Sequence, residues 1–150
     1  MPYQDIEESR MYERAEQLAD EIWDAVISWQ PFARDTVSKQ LTKSADSVGA
    51  NIAESSGRFH PKDVINFLYY ARGSLKETRY WLRRAIRRKL ITQEQFNRWM
   101  DELTQLAKEI NSYIGCNYSG YSDLDTEIPK ISLCSSVRCS VKLCVTAQAE

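Results

Sequence analysis

The sequence has a single histidine, His60, and few glycines or prolines: five and four in 150 residues. One histidine excludes a carboxylate-bridged di-iron bundle, which needs two Glu-x-x-His motifs. It leaves a Cys-His nucleophile only the pairing of a loop histidine with a distant cysteine, and nothing local supports that pairing. No glycine-rich phosphate loop opens from a strand, and no serine sits in a nucleophile elbow. Long apolar runs are also missing. Nothing approaches the roughly 20 residues that a membrane span needs, and the opening MPYQDIEESR is acidic where a leader would be basic and then apolar. The default is therefore a cytoplasmic protein. The four cysteines, Cys116, Cys134, Cys139 and Cys144, cluster at the C-terminal end without C-x-x-C spacing. They read as reduced thiols in a peripheral segment rather than as a metal site or disulfide framework. Adjacent carboxylates occur at Glu7–Glu8 and Asp101–Glu102, but neighbours on a helix point about 100° apart and make no acid/base pair. They read as solvated faces, and no catalytic, metal or cofactor residue is assigned.

What is present is ordinary globular material: 43% hydrophobic and 27% charged residues, enough for one compact domain with a real core. Apolar residues recur at three- and four-residue steps in four stretches. The first carries Met11, Ala15, Leu18, Ile22, Val26 and Trp29, with Pro31 expected to close it. The second carries Val37, Leu41, Ala45, Val48 and Ile52 and is expected to end at Ser55, Ser56 and Gly57. The third opens at Pro61, a residue suited to a first helical turn, and carries Val64, Phe67, Leu68, Ala71, Leu75, Thr78, Leu82 and Ala85. The fourth starts at Thr92, which has capping-box spacing to Gln95, and carries Phe96, Trp99, Leu103, Leu106, Ile110 and Tyr113.

Connections this short force sequential helices to lie antiparallel, so the expected fold is an all-α, up-down-up-down four-helix bundle over residues 1–114. Residues 115–150 differ in character. ISLCSSVRCSVKLCV is rich in Ser, Cys, Val and Lys, Gly120 and Pro129 interrupt what precedes it, and a loosely ordered C-terminal tail is expected there.

Two motifs are more specific. SVGANIAESSGR runs from Ser47 to Arg58, and FLYYARGSLKE from Phe67 to Glu77. Together they resemble the bacterial four-helix-bundle family encoded by intervening sequences in 23S ribosomal RNA genes, whose pattern is S-[IV]-x-x-N-I-A-E-G-x-G-R followed by F-L-x-x-A-x-G-S-x-x-E. Ser47, Asn51, Glu54, Gly57, Arg58, Gly73, Ser74 and Glu77 match it, and Ser55 departs where the family usually has glycine. The resemblance covers roughly residues 5 to 114. It implies a bundle that assembles into a homopentamer, without catalytic activity or cofactor. It also implies a relative in the accessory protein of diversity-generating retroelements, which binds nucleic acid and partners a reverse transcriptase.

The residues themselves add an electrostatic reading. On a helical wheel Arg72, Lys76, Arg79, Arg83 and Arg87 fall within about 80° of one another, with Tyr69 and Tyr80 beside them and the apolar stripe roughly 120° away. From Pro61 to Leu90 nine Lys or Arg face two acids, although the whole chain carries −1. A basic stripe with interleaved aromatics fits a phosphate-binding surface that engages RNA or DNA. Two other readings stand beside it. The arginines could simply solvate a long helix, or they could meet acidic protein surface, since the first helix carries its own acidic stripe of Glu13, Glu16, Asp20 and Asp24. The last reading makes the chain an assembly or adaptor module with no nucleic-acid role.

Gly73 and Ser74 interrupt a run of helix formers. A mid-helix glycine costs about 1 kcal/mol relative to alanine, so Gly73 is expected where another backbone comes too close for a side chain. With Gly49 and Ala50 also small, that contact is expected between the second and third helices or across a subunit boundary. Ser74 can return its hydroxyl to a carbonyl one turn earlier. Asn51, Glu54 and Glu77 are expected as buried or interfacial polar groups with Arg58 and Arg84 as partners.

Overall fold

The computed structural model describes residues 9–118, which form four helices and no strand. Helix α1 spans Arg10–Val26, where the Ser9 side chain accepts a hydrogen bond from the Tyr12 backbone N–H at 3.3 Å and so satisfies one free donor of the first turn. Helix α2 is composite: a first turn, Pro31–Ala33, passes through a π-helical turn, Arg34–Ser38, into Lys39–Ser56. Helix α3 is Pro61–Arg87 and α4 is Gln93–Tyr118.

Pro31 does not close α1. It occupies the first position of α2, where its missing N–H has no helical partner to lose. Trp29 consequently lies outside α1, in the turn, yet is buried with the core at 8% exposure. Pro61 opens α3 as its position predicts, with extended His60 before it. At the start of α4 the capping box is closed in both directions. The Thr92 N–H donates to Gln95 Oε1 at 3.0 Å, and the Gln95 N–H donates to Thr92 Oγ1 at 3.2 Å. Helix α4 continues through Tyr118, past the boundary expected at residue 114. The remaining tail, residues 119–150 with Cys134, Cys139 and Cys144, lies outside the described residues.

Each helix packs on its chain neighbours, and α4 closes back onto α1, so α1 and α3 lie diagonally across the bundle. The apolar stripes meet inside, with Ile22, Leu41, Leu68, Leu82, Trp99 and Leu103 all at 0% exposure. A core of this kind, worth roughly 25 cal/mol per Å² of apolar surface removed from water, is what orders helices of middling intrinsic propensity. Phe67 leaves the stripe expected for it. It is only half-buried and lies beneath the Arg58 guanidinium, whose carbon stands 4.3 Å from the ring centre.

Candidate nucleic-acid interface

Helix α3 places its cations by a simple rule: steps of three and four residues return to one face, while the core residues occupy another. Lys76, Arg83 and Arg87 are exposed on that face. Arg72 is half-buried, with its guanidinium 5.6 Å from the ring centre of Tyr69. Tyr69 and Tyr80 are 38% and 53% exposed, and the Tyr80 ring meets Trp81 edge-on at 5.1 Å. None of the ion pairs among the described residues involves a cation of α3. Among the described residues the stripe therefore stands without an ion-pair partner.

Arg79 differs from the other four. Its Nη2 donates to Thr104 Oγ1 on α4 at 2.8 Å, and its Nε is buried without an acceptor among the described residues. It serves the α3–α4 seam as much as the surface. Helical spacing alone could not separate it from Arg83, because the neighbouring helix is invisible to the wheel.

The family-motif residues are arranged differently from expectation. Asn51 does connect α2 to α3: its Nδ2 donates to the Ser47 carbonyl at 2.6 Å and reaches Ser74 Oγ at 3.5 Å. Ser74 returns its hydroxyl to the Tyr70 carbonyl at 3.2 Å. Glu54 and Arg58 pair one turn apart, but both are exposed, so this is a surface pair rather than a buried one. Glu77 is exposed and accepts from Trp81 Nε1 at 3.4 Å, not from Arg58 or Arg84. Arg84 is two turns away on the same helix, about 10 Å along its axis.

The glycine expectations are corrected as well. A Cβ added at Gly49 would meet Ala15 Cβ at 3.9 Å, so Gly49 faces α1 rather than α3. Gly73 is exposed with nothing within 4 Å of such a Cβ, so none of the other described helices approaches it. Gly57 caps α2 at φ −78°, a conformation open to any residue.

Sequence reasoning missed two polar clusters between α1 and α4. Arg14 donates to Glu102 at 2.6 Å and to Glu109 at 2.5 Å, and these bonds, Glu102 first, outweigh burial and raise its pKa. Glu102 is thus half-buried and paired, not part of a solvated face. Beside it, Glu21 receives both Trp99 Nε1 and Arg98 Nη2 at 2.9 Å. Arg14 stands between the apolar positions Met11 and Leu18 on a helix with five acids and one other cation, Arg10, and that placement was the available signal. The two clusters line an open polar groove of about 400 Å³, in which Glu102 and Glu21 are already engaged by cations. His60 is exposed and edge-on to Phe59 at 5.4 Å.

The family model described as 23S rRNA-intervening sequence protein matches residues 7–112, which is most of the chain. The chain belongs to that family. A solved structure agrees. The crystal structure of a protein of unknown function from the S23 ribosomal protein family of Bacteroides thetaiotaomicron is 30% identical, with a TM-score of 0.63. The match covers 69% of this chain and 97% of that one. No curated protein matches the chain. The matched span of the family model takes in all of α1, α2 and α3 and most of α4, so the basic face belongs to the family domain. No described helix is long and apolar enough to cross a membrane.

Proposed function

We infer that this protein is a non-enzymatic, homo-oligomeric binding module whose α3 face engages the phosphate backbone of RNA or DNA. The observation that carries the reading is the row Arg72, Lys76, Arg83 and Arg87, which makes no ion pair among the described residues and is flanked by the half-exposed rings of Tyr69 and Tyr80. The family description, which names an intervening sequence of ribosomal RNA, supports an RNA context. Repeating the row around a symmetric oligomer, a pentamer in the finer form of the proposal, multiplies phosphate contacts without adding a cation per chain. Service as an accessory to a reverse transcriptase in the cytoplasm is a further refinement of the same reading.

The test is binding of purified protein to labelled single-stranded RNA and duplex DNA across a salt series, with the mass in solution measured by light scattering. The logarithm of affinity should fall linearly with the logarithm of salt, by about 0.7 per phosphate neutralised on a single strand and 0.9 on a duplex. Replacing Arg83 and Arg87 by glutamate should abolish binding while mass and helicity stay unchanged.

A second reading has its own observation. The acids Glu13, Glu16, Asp20 and Asp24 are all exposed on α1, diagonally opposite α3, so the two charged faces cannot meet within one chain. They can meet between copies. If the Arg83/Arg87 variant dissociates the oligomer, the stripe belongs to assembly and not to nucleic acid.

A further inference from the structure

We propose that the α3 face selects unpaired, single-stranded nucleic acid, with Tyr69 and Tyr80 acting as stacking platforms for its bases. The inference rests on the phosphate-binding reading above and names the substrate class for that same face.

Two features of the face carry it. The first is that the cations form one row. A helix lying in the roughly 12 Å major groove of duplex DNA has phosphates on both flanks and rewards cations on both. On α3 the flank away from the row carries, over the same stretch, Tyr70, Gly73, Ser74, Glu77, Trp81 and Arg84: one half-buried cation against one acid, and so no net charge. A-form duplexes are a poorer match still, because their major groove is too narrow for side chains to read. One row of cations suits one strand. From Arg72 to Arg87 the row rises about 22 Å at 1.5 Å per residue, which about six nucleotides span at about 3.4 Å each.

The second feature is the aromatic pair. The Tyr69 and Tyr80 rings stand beside the row and are 38% and 53% exposed, so neither is consumed by the core. They are three turns apart on one side of the helix. Arg72 lies over the Tyr69 ring at 5.6 Å, placing a planar cation and a π-face together. Trp81 braces the Tyr80 ring in a T-shaped contact 5.1 Å away, and the tyrosine stays 53% exposed. Bases paired inside a duplex have no free face to lay on a tyrosine, whereas splayed bases stack on aromatic rings and guanidinium planes alike. Phosphate attraction alone favours the more densely charged duplex, so the rings are what make the face selective for a single strand.

The test uses the full chain, a mixed-sequence 12-nucleotide RNA, and a blunt duplex of the same sequence at one fixed salt concentration. The single strand should bind about tenfold tighter or more. Tyr69→Leu and Tyr80→Leu should each weaken single-strand binding by about fivefold or more, leaving duplex binding and the salt slope unchanged, while Tyr69→Phe and Tyr80→Phe keep wild-type affinity. Circular dichroism on each variant verifies the helices. Equal affinity for both forms, or leucine variants that bind the single strand as wild type does, overturns the stacking proposal and leaves phosphate binding intact. Absence of salt-sensitive binding to either form by the wild type overturns the phosphate reading itself, before any variant is made.

Discussion

Trp99 and Glu21 hold α4 to α1: the indole N–H of a fully buried tryptophan donates to the carboxylate at 2.9 Å, and Arg98 holds the same oxygen from outside. Tryptophan is a donor only, so its buried N–H must find an acceptor at this seam. Glu21→Ala orphans that donor and should cost about 1–2 kcal/mol, whereas Glu21→Gln keeps an acceptor and should cost less than half as much. Chemical denaturation of the two variants side by side checks the ordering. An alanine variant as stable as wild type refutes the role given to the bond.

Arg79 and Arg83 share a helix face but not a role. Arg83→Glu changes an exposed side chain and should leave stability within about 0.5 kcal/mol. Arg79→Glu places a carboxylate where a buried Nε and the Thr104 bond now sit, and should cost about 1–3 kcal/mol. Thermal melts distinguish them. For that reason Arg83 with Arg87, not Arg79 with Arg83, is the pair for testing ligand binding.

Gly73→Ala should stabilise the isolated chain by about 0.5–1 kcal/mol, because the site is helical, exposed and open for a Cβ. In the proposed oligomer this open site is where a neighbouring subunit would lie. The added methyl should therefore lower the oligomer mass seen by light scattering at the same concentration. Greater stability with unchanged mass would place the subunit contact elsewhere.

Lys89 holds φ at 57°, in the left-handed region, directly after α3. The Leu90 N–H bonds the Ala85 carbonyl and the Lys89 N–H bonds the Ile86 carbonyl, each at 3.0 Å, which is a Schellman cap. Glycine adopts this conformation without the side-chain penalty. Lys89→Gly should raise stability by about 1 kcal/mol, a shift of roughly 3 °C in the melting midpoint.

Asp46, exposed on α2, has its carboxyl raised above the ordinary 3.8, first by partial desolvation and then by the like charge of Asp20 on α1. The folded chain thus keeps this proton to higher pH than the unfolded chain. Stability declines as pH rises from about 3.8 through the folded value and stays lower at neutrality. Asp46→Asn removes that loss, so it should raise the melting midpoint at pH 7 and leave it unchanged at pH 3.

The periodic apolar residues were legible because burial in a bundle demands them: Met11 to Val26 and Trp99 to Ile110 fall inside as their spacing requires. Caps were legible for the same local reason, as at Thr92 and Gln95. Local reasoning misplaced Pro31, since the same residue can end one helix or begin the next, and only the packed turn containing Trp29 chose. It also overestimated the burial of Glu54 and Glu77, whose helix positions were known but whose neighbours were not.

The sequence by itself determined the four helices, their antiparallel order, the family and the basic row on α3. These depend on side-chain period, loop length and motif, all written along one dimension. The tertiary structure decided which charges have partners: Arg14 is bound by Glu102 and Glu109, Arg79 is drawn onto α4, and Arg83 and Arg87 remain exposed and outside every ion pair among the described residues. A charge's partner is fixed by which helices are neighbours in space, and pairing falls off over a few ångströms that sequence separation does not measure.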